Sequence, residues 1–288
     1  MESQSVLLRV NGPVVFASNM GMAGLGEQVD VGDEKLTGEI IALENDVATI
    51  QVYEDTIGLK PGEPVSACGE PLSVWLGPGI LRSIYDGIQR PLQKLYEYSG
   101  TFLERGLSTP GIDLEKRWPF TPVKQAGSAI VDLSVLGEVP ETELITHRVM
   151  VPRGITGSLT WIAEAGEYTV TDVIAKVATA DGEREISMLH KWPIRKPRPI
   201  AKRLAPRIPV ITGQRVIDFL FPAARGGACA IPGGFGTGKT VTQHQLAKWS
   251  DVDMIVYIGC GERGNEMTQV LEEFPVLKDP RSGKPIME

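Results

Sequence analysis

The sequence has few of the residues that hold disulfide-bonded domains or metal centres together. Its 288 residues include three cysteines and three histidines, all widely separated, so neither a disulfide framework nor a zinc site with the usual ligand spacing is predicted. No run approaches the roughly eighteen apolar residues of a membrane-spanning helix, and the first residues lack the basic and apolar segments of a secretion signal. These absences predict a cytoplasmic protein with reduced thiols.

Positive charge is also scarce in the chain as a whole. With 29 lysines and arginines against 36 aspartates and glutamates, the formal net charge is −7, which argues against direct binding to nucleic acid or to an anionic membrane surface. Hydrophobic residues make up 42% of the chain and charged residues 23%. That balance is typical of a soluble globular protein, and the length allows more than one domain.

Residues 1–72 read as short strands separated by turns. The clearest pair is residues 38–43 and 47–53, on either side of Glu44, Asn45 and Asp46, with apolar and polar residues alternating in the second segment. This pattern is typical of a β-hairpin. Short strands with glycine and proline in the turns favour a closed barrel, which has no exposed sheet edge. We therefore predict an N-terminal antiparallel β-barrel.

The middle of the chain divides into two further predicted segments. In residues 73–112, apolar residues recur at helical spacing on both sides of Pro91, which predicts a connector with helices before and after that proline. Residues 113–192 return to short β segments rich in turn residues, which predicts an inserted β-rich domain. A basic, proline-rich stretch follows at residues 195–207. We interpret it as a solvated linker, with a nucleic-acid-binding arm as the alternative.

Residues 193–288 are predicted to form part of an α/β nucleotide-binding domain. A glycine-rich loop comes first, and then a helix over residues 241–249, an apolar strand at residues 254–258 and a helix with one apolar face. That face is formed by Met267, Val270, Leu271 and Phe274, at helical spacing. No apolar strand ending in an acidic residue follows, so the second carboxylate that such folds link to Mg²⁺ is not found. We expect the domain to continue beyond Glu288 in a longer protein.

The glycine-rich loop has the phosphate-binding pattern G-x-x-x-x-G-K-T, in which glycines let backbone N–H groups approach a polyphosphate. The following helix adds its positive N-terminal end. Lys239 is expected to reach the β- and γ-phosphates, and the Thr240 hydroxyl to ligate Mg²⁺. A glycine-rich surface turn is the alternative, disfavoured by the apolar run before the loop and the helix after it. The residues predicted to bind nucleotide are Gly233, Gly234, Phe235, Gly236, Thr237, Gly238, Lys239, Thr240 and Val241.

A second chemical motif follows the strand predicted at residues 254–258. In open parallel sheets, ligands bind beyond the carboxyl ends of the strands, which would place Glu262 and Arg263 beside the phosphate loop. A carboxylate there can position the attacking water, and a guanidinium can hold phosphate oxygens. Without the loop, a solvated Glu–Arg pair at the start of a helix would be the simpler interpretation. With the loop, we predict that Lys239, Glu262 and Arg263 are catalytic.

Together these residues resemble the catalytic A (alpha) subunits of V-type and archaeal-type rotary ATPases. The resemblance covers essentially the whole chain. Phe235 and the long insert before Trp192 distinguish the sequence from the β subunit of F-type synthases, which lacks that insert. The segments that carry the resemblance are residues 77–80, 86–92, 166–170, 212–222, 231–241 and 259–267.

The resemblance implies a multidomain chain with an all-β barrel, a β-rich insert and a RecA-like P-loop domain. It implies ATP and Mg²⁺ as ligands, with Glu262 orienting the hydrolytic water and Arg263 contacting the terminal phosphate. Its implied partners are a B subunit in an alternating hexamer and central and peripheral stalk subunits, with no nucleic acid. The protein would lie at the cytoplasmic face of a membrane, which it would reach only through an ion-translocating sector.

Three functions compete at this point. The leading one is an ATPase subunit that couples ATP turnover to proton or sodium transport. The second is a RecA-like hexameric motor of another kind, such as a secretion ATPase or an RNA translocase, and the acidic composition argues against the RNA version. The third is a catalytically silent, nucleotide-binding assembly subunit. Glu262 and Arg263 beside an intact phosphate loop argue against that role.

Overall fold

The computed structural model describes residues 4–81, 83–142, 145–200, 202–234, 236–278 and 283. The chain forms two compact units. The first combines Met1–Glu141 with Ile145–Arg198, and the second consists mainly of Pro199–Glu288. We call them the first unit and the second unit.

The first unit begins with six antiparallel strands. They are β1 (Val6–Asn11), β2 (Val14–Ser18), β3 (Glu27–Val31), β4 (Leu36–Glu44), β5 (Val47–Val52) and β6 (Val65–Pro71), in the order β1-β2-β5-β4-β3-β6. Alternation directs every second side chain inward, so Ala48, Ile50 and Val52 of β5 are buried. The outer strands meet where the Val65 N–H donates to the Ser5 carbonyl at 2.9 Å. The predicted barrel is confirmed.

The β-rich insert of the first unit is built on two four-stranded sheets. Its strands, with those that flank it, are β7 (Ser73–Leu76), β8 (Arg117–Pro122), β9 (Ala129–Ile130), β10 (Val135–Pro140), β11 (Thr146–Met150), β12 (Gly157–Ile162), β13 (Gly166–Thr169), β14 (Val173–Thr179), β15 (Gly182–Ser187) and β16 (His190–Pro193). The sheets have the orders β11-β10-β8-β13 and β15-β14-β12-β9. Before and after them, β7 pairs with β16, with Val74 opposite Trp192. The chain therefore leaves and re-enters the insert at one place.

The connector has one of its two predicted helices, α1 (Leu92–Ser99). The helix expected before Pro91 was wrong for the described residues 83–91, which form a tight turn instead. The Asp86 carboxylate accepts the Ile88 and Arg90 N–H groups at 3.0 and 2.8 Å. Gln89 has a φ of 66°, which a helix does not allow. The Arg90 guanidinium then binds Asp86 at 2.6 Å and Glu54 of the barrel at 2.9 Å. These side-chain bonds outweigh the helical spacing of the apolar residues.

The second unit contains α2 (Arg215–Leu220), α3 (Lys239–Trp249), α4 (Gly264–Glu273) and a 3₁₀ turn at Phe274–Val276. The two predicted helices, α3 and α4, are confirmed. The strand expectations for residues 228–231 and 254–258 were wrong, because both segments are extended without a strand partner among the described residues. A strand depends on a neighbour to satisfy its backbone groups. Without one, Val256 and Ile258 are 76% and 79% exposed.

Candidate functional site

The phosphate loop of the second unit depends on its glycines. Gly236 and Gly238 have φ values of 77° and 80°, in the left-handed region that favours glycine. A Cβ atom on Gly233 would lie 2.5 Å from the Thr237 hydroxyl oxygen, whereas Cβ atoms on Gly234, Gly236 or Gly238 would meet nothing within 4 Å. The loop is therefore tightly folded on one side and open on the other. Phe235 lies outside the described residues.

Two side chains hold the loop closed by bonds to its own backbone. The Lys239 ammonium donates to the Gly233 carbonyl at 2.7 Å. The Thr237 hydroxyl donates to the Gly234 carbonyl at 2.9 Å. Gly238 precedes the first residue of α3, so the loop leads directly into the free N–H groups of a helix N-terminus. Val241, in the first turn of α3, is 64% exposed.

Thr240 of α3 faces α4. Its Oγ1 lies 3.5 Å from Oε2 of Glu266, at the outer limit of a hydrogen bond. Glu266 belongs to the first turn of α4 and was absent from the residues predicted from sequence. The available signal was its position four residues after Glu262, which allows the two carboxyl groups to meet near the start of one helix.

Glu262 and Glu266 form a carboxyl pair. A hydrogen bond between them, together with partial desolvation and their mutual repulsion, raises the pKa of Glu262 above its ordinary value of 4.5. The positive charge of Lys239 acts in the opposite direction on the same carboxyl. The structure thus brings Lys239, Thr240, Glu262 and Glu266 into one electrostatic neighbourhood. Two carboxyl groups that share a proton can release it when a cation approaches.

Arg263 occupies the N-cap position of α4, and its side chain is exposed. Its carbonyl accepts the N–H groups of Glu266 and Met267 at 3.0 and 3.2 Å. The backbone of Arg263 therefore fixes the start of the helix that carries Glu266. A contact between its guanidinium and a phosphate stays a prediction.

Behind the loop, an aromatic cluster packs α3 against residues that follow it. His244 is 5% exposed, and its Nε2 lies 3.1 Å from the Tyr257 hydroxyl. The rings of His244, Tyr257 and Phe274 meet edge to face, with centroids 5.7 to 6.0 Å apart. Such contacts stabilise aromatic groups beyond the area they bury. The cluster holds the phosphate-loop helix in a defined orientation next to α4.

The oxygen atoms at this site suit a hard divalent cation. Mg²⁺ prefers oxygen ligands and takes few of them from the protein, because it retains water and binds phosphate. The Thr240 hydroxyl and the Glu266 carboxylate supply two such oxygens. No cluster of three or more His, Cys, Asp or Glu side chains that could hold a metal occurs among the described residues. The arrangement therefore fits a cation that is bound mainly by a phosphorylated ligand.

Three models of ATP synthase alpha/beta domains match successive parts of the chain. They are the β-barrel domain at residues 7–69, the barrel-sandwich domain at residues 109–195 and the nucleotide-binding domain at residues 213–281. The last of these ranges contains the phosphate loop and both carboxyl groups of the Glu262–Glu266 pair. Within the part of the chain that the structure describes, no helix has the length and apolar character needed to cross a membrane.

Curated relatives match nearly the whole chain. It is 57% identical over 283 residues to the A subunit of the A-type ATP synthase from Desulfurococcus sp. (strain SY), an alignment that covers 98% of this chain and 48% of that protein. It is 52% identical over 282 residues to the V-type ATP synthase alpha chain of Clostridium novyi (strain NT), again covering 98% and 48%. The chain thus spans about half the length of the curated relatives it matches.

A solved structure shows the same fold at low identity. The assembled ATPase EscN of the type III secretion system of enteropathogenic E. coli superimposes with a TM-score of 0.51 at 16% identity, covering 98% of this chain and 46% of EscN. At that identity the similarity concerns the fold alone.

Proposed function

Because this chain belongs to the ATP synthase alpha/beta family, as an N-terminal portion similar to A-type and V-type catalytic A subunits, we propose that it forms the Mg-ATP-binding part of a rotary ATPase subunit. The whole protein would hydrolyse or synthesise ATP and couple that turnover to proton or sodium transport. The observation that carries the proposal is the folded phosphate loop with Lys239 at its base and the Glu262–Glu266 carboxyl pair nearby.

The residues divide the work of binding. Backbone N–H groups of residues 233–238 and the N-terminus of α3 would surround the phosphates, because the space beside Gly234, Gly236 and Gly238 is open. Lys239 would exchange its bond to the Gly233 carbonyl for the β- and γ-phosphates. Thr240 and Glu266 would hold Mg²⁺, directly or through water. When bound, Mg²⁺ would neutralise charge on the β- and γ-phosphates.

The residues also divide the work of hydrolysis. Glu262, once ionised, would accept a hydrogen bond from the attacking water and orient it toward the terminal phosphate. The approach of a cation to Glu266 would favour that ionised state, since it removes the shared proton of the carboxyl pair. Arg263 would hold the oxygens of the terminal phosphate as charge redistributes. An arginine finger would come from a neighbouring protomer.

The proposed assembly is an alternating hexamer of this protein with B subunits, bound to central and peripheral stalk subunits. It would lie peripherally at the cytoplasmic face of a membrane. In it, residues 1–72 would be the barrel, residues 73–112 the connector, residues 113–192 the β-rich insert and residues 193–288 part of the RecA-like domain. The secretion ATPase alternative rests on a fold similarity at 16% identity, and no residue of the site favours it.

Nucleotide binding is the first test. Calorimetric titration of the chain with Mg-ATP should give one site, and Lys239→Ala should weaken binding by roughly 10- to 100-fold, since the Lys–phosphate bond joins two charged groups. Lys202→Ala is the matched control, because Lys202 is an exposed lysine of the same unit. Equal affinities for Lys239→Ala and the wild type would refute the assignment of the loop.

A further inference from the structure

A basic cleft on the first unit lies outside the phosphate-loop site. It has a volume of about 440 Å³ and is lined by Pro152, Arg153, Gly154, Lys191, Trp192, Pro193 and Lys196. Three of its seven lining residues are cationic, on a chain whose net charge is −7. A local concentration of positive charge on an acidic protein attracts anionic partners to that one place.

Two of the three cations have no carboxylate neighbour. Lys191 forms an ion pair with Glu70. Arg153 and Lys196 are exposed, and neither has an ion-pair partner among the described residues. Their charges come from separate segments, the loop after β11 and the turn after β16. An incoming ligand would therefore find two uncompensated charges on opposite sides of the cleft.

The backbone holds this cleft in shape. The Trp192 indole N–H donates to the Lys196 carbonyl at 2.7 Å, and the Lys196 N–H donates to the Pro193 carbonyl at 3.1 Å. The Arg198 guanidinium lies 4.3 Å from the centre of the Trp192 ring. The stretch predicted as a solvated linker is thus anchored at its start. Anchoring reduces the entropy that Lys196 would lose on binding a ligand.

The cleft lacks the usual construction of a phosphate site. Phosphate sites rely on free backbone N–H groups in glycine-rich loops or at helix N-termini. Pro152 and Pro193 have no N–H group, the Gly154 N–H already donates to Asp132 at 2.5 Å, and the Lys196 N–H is used within its turn. Recognition would rest on long cationic side chains, which suit carboxylates spaced along a peptide.

We propose that this cleft binds an acidic segment of a partner protein, with Arg153 and Lys196 as the principal contacts and Lys191 as a weaker one. The partner is defined by chemistry: consecutive or alternating aspartate and glutamate side chains on an exposed loop or terminus. The interaction would be electrostatic and salt-dependent, because all three cations are at the surface.

The test is a fluorescence anisotropy titration of the chain with a labelled hexaglutamate peptide at low salt. The double variant Arg153→Glu/Lys196→Glu should bind at least about tenfold more weakly than the wild type, since each lost surface ion pair contributes up to about 1 kcal/mol. Lys60→Glu/Arg184→Glu is the matched control. It makes the same change in net charge on the same unit, at two exposed residues outside the cleft.

The outcomes separate this proposal from the proposed function. Retained binding in the control and in Lys239→Ala would support the cleft, because neither variant alters it. Equal losses in the cleft variant and the control would mean that only net charge matters, and that result would overturn the proposal. So would the absence of binding by the wild type. Displacement of the peptide by an equimolar amount of pyrophosphate in the Lys239→Ala background would also overturn it, in favour of a phosphate ligand.

Discussion

The hydroxyl oxygen of Thr240 lies 3.5 Å from a carboxylate oxygen of Glu266, which joins the first turn of α3 to the first turn of α4. Both residues present oxygen atoms next to a phosphate loop, and Mg²⁺ bound to ATP prefers that kind of ligand. The pair links two motifs that are 26 positions apart in the sequence. It therefore defines where a cation should enter the site.

Removing the Thr240 hydroxyl should uncouple ATP binding from Mg²⁺. In Thr240→Val, the affinity for Mg-ATP should fall toward the affinity for ATP in the presence of EDTA, because an oxygen ligand is lost. Thr240→Ser retains the hydroxyl and should behave like the wild type. Calorimetric titrations with and without Mg²⁺ measure both affinities. A strong Mg²⁺ dependence in Thr240→Val would contradict the role given to this hydroxyl.

Glu262 should bind its proton more tightly than an ordinary glutamate. Its pKa is raised chiefly by the hydrogen bond from Glu266, so Glu266→Gln, which removes the second ionisable carboxyl, should lower the pKa of Glu262. Carboxyl ¹³C NMR titration of the free chain measures this directly. Glu272→Gln, an exposed glutamate later in α4, provides the control. An unchanged titration of Glu262 in Glu266→Gln would show that the two carboxyl groups do not interact.

The stability of the first unit should depend on pH through Glu39. This barrel carboxylate is 1% exposed and accepts bonds from Arg195 at 2.6 and 2.8 Å. It also accepts a bond from the Tyr53 hydroxyl at 2.6 Å. The bonds from Arg195 are the largest cause that holds the pKa of Glu39 below its ordinary value of 4.5. The folded state therefore gains stability from this group above the ordinary pKa, and loses that stability as the pH falls through the lower folded-state pKa.

Thermal unfolding at a series of pH values tests this dependence. Glu39→Gln should cost about 1–3 kcal/mol at neutral pH, because the buried partners lose a charged acceptor. Its unfolding temperature should also fall less steeply with acid than that of the wild type. Glu183→Gln, which alters an exposed glutamate of the same unit, is the comparison. Parallel acid profiles for Glu39→Gln and the wild type would contradict the assignment.

The conformation of the phosphate loop should be sensitive to the position at which a methyl group is added. Gly238 has a φ of 80°, so Gly238→Ala should strain the start of α3 by about 1–2 kcal/mol. Gly234→Ala is the natural contrast, because Gly234 is outside the left-handed region and a Cβ atom there meets nothing within 4 Å. Hydrogen exchange should quicken in the first turn of α3 in Gly238→Ala only. Equal exchange rates in the two variants would show that the left-handed backbone is not required.

The parts of the molecule that the sequence predicted are those whose chemistry is local. A phosphate loop requires glycines and a lysine at fixed spacing, so residues 233–240 are recognisable without a structure. Helices α3 and α4 follow from a period that lies within one segment. Turn residues such as Asn45, whose φ is 55°, likewise mark the β4–β5 hairpin from within.

The parts that it missed depend on distant residues. The apolar run at residues 254–258 resembles a strand, but a run alone does not supply the neighbour that a strand needs. Glu266 becomes a site residue only when α4 is placed beside Thr240. The bond between Arg195 and Glu39 spans 156 positions, and nothing near Arg195 indicates that this part of the linker is anchored.

The central claim is that this chain carries the Mg-ATP site of a rotary ATPase, with Glu262 orienting the attacking water. The most direct measurement compares ATP turnover with Mg-ATP affinity for Glu262→Gln in the assembled, full-length enzyme. We expect turnover to fall by about 10²–10⁴-fold while the affinity stays close to that of the wild type, since Lys239 and Thr240 are unchanged. Substantial residual turnover at unchanged affinity would contradict the role of Glu262.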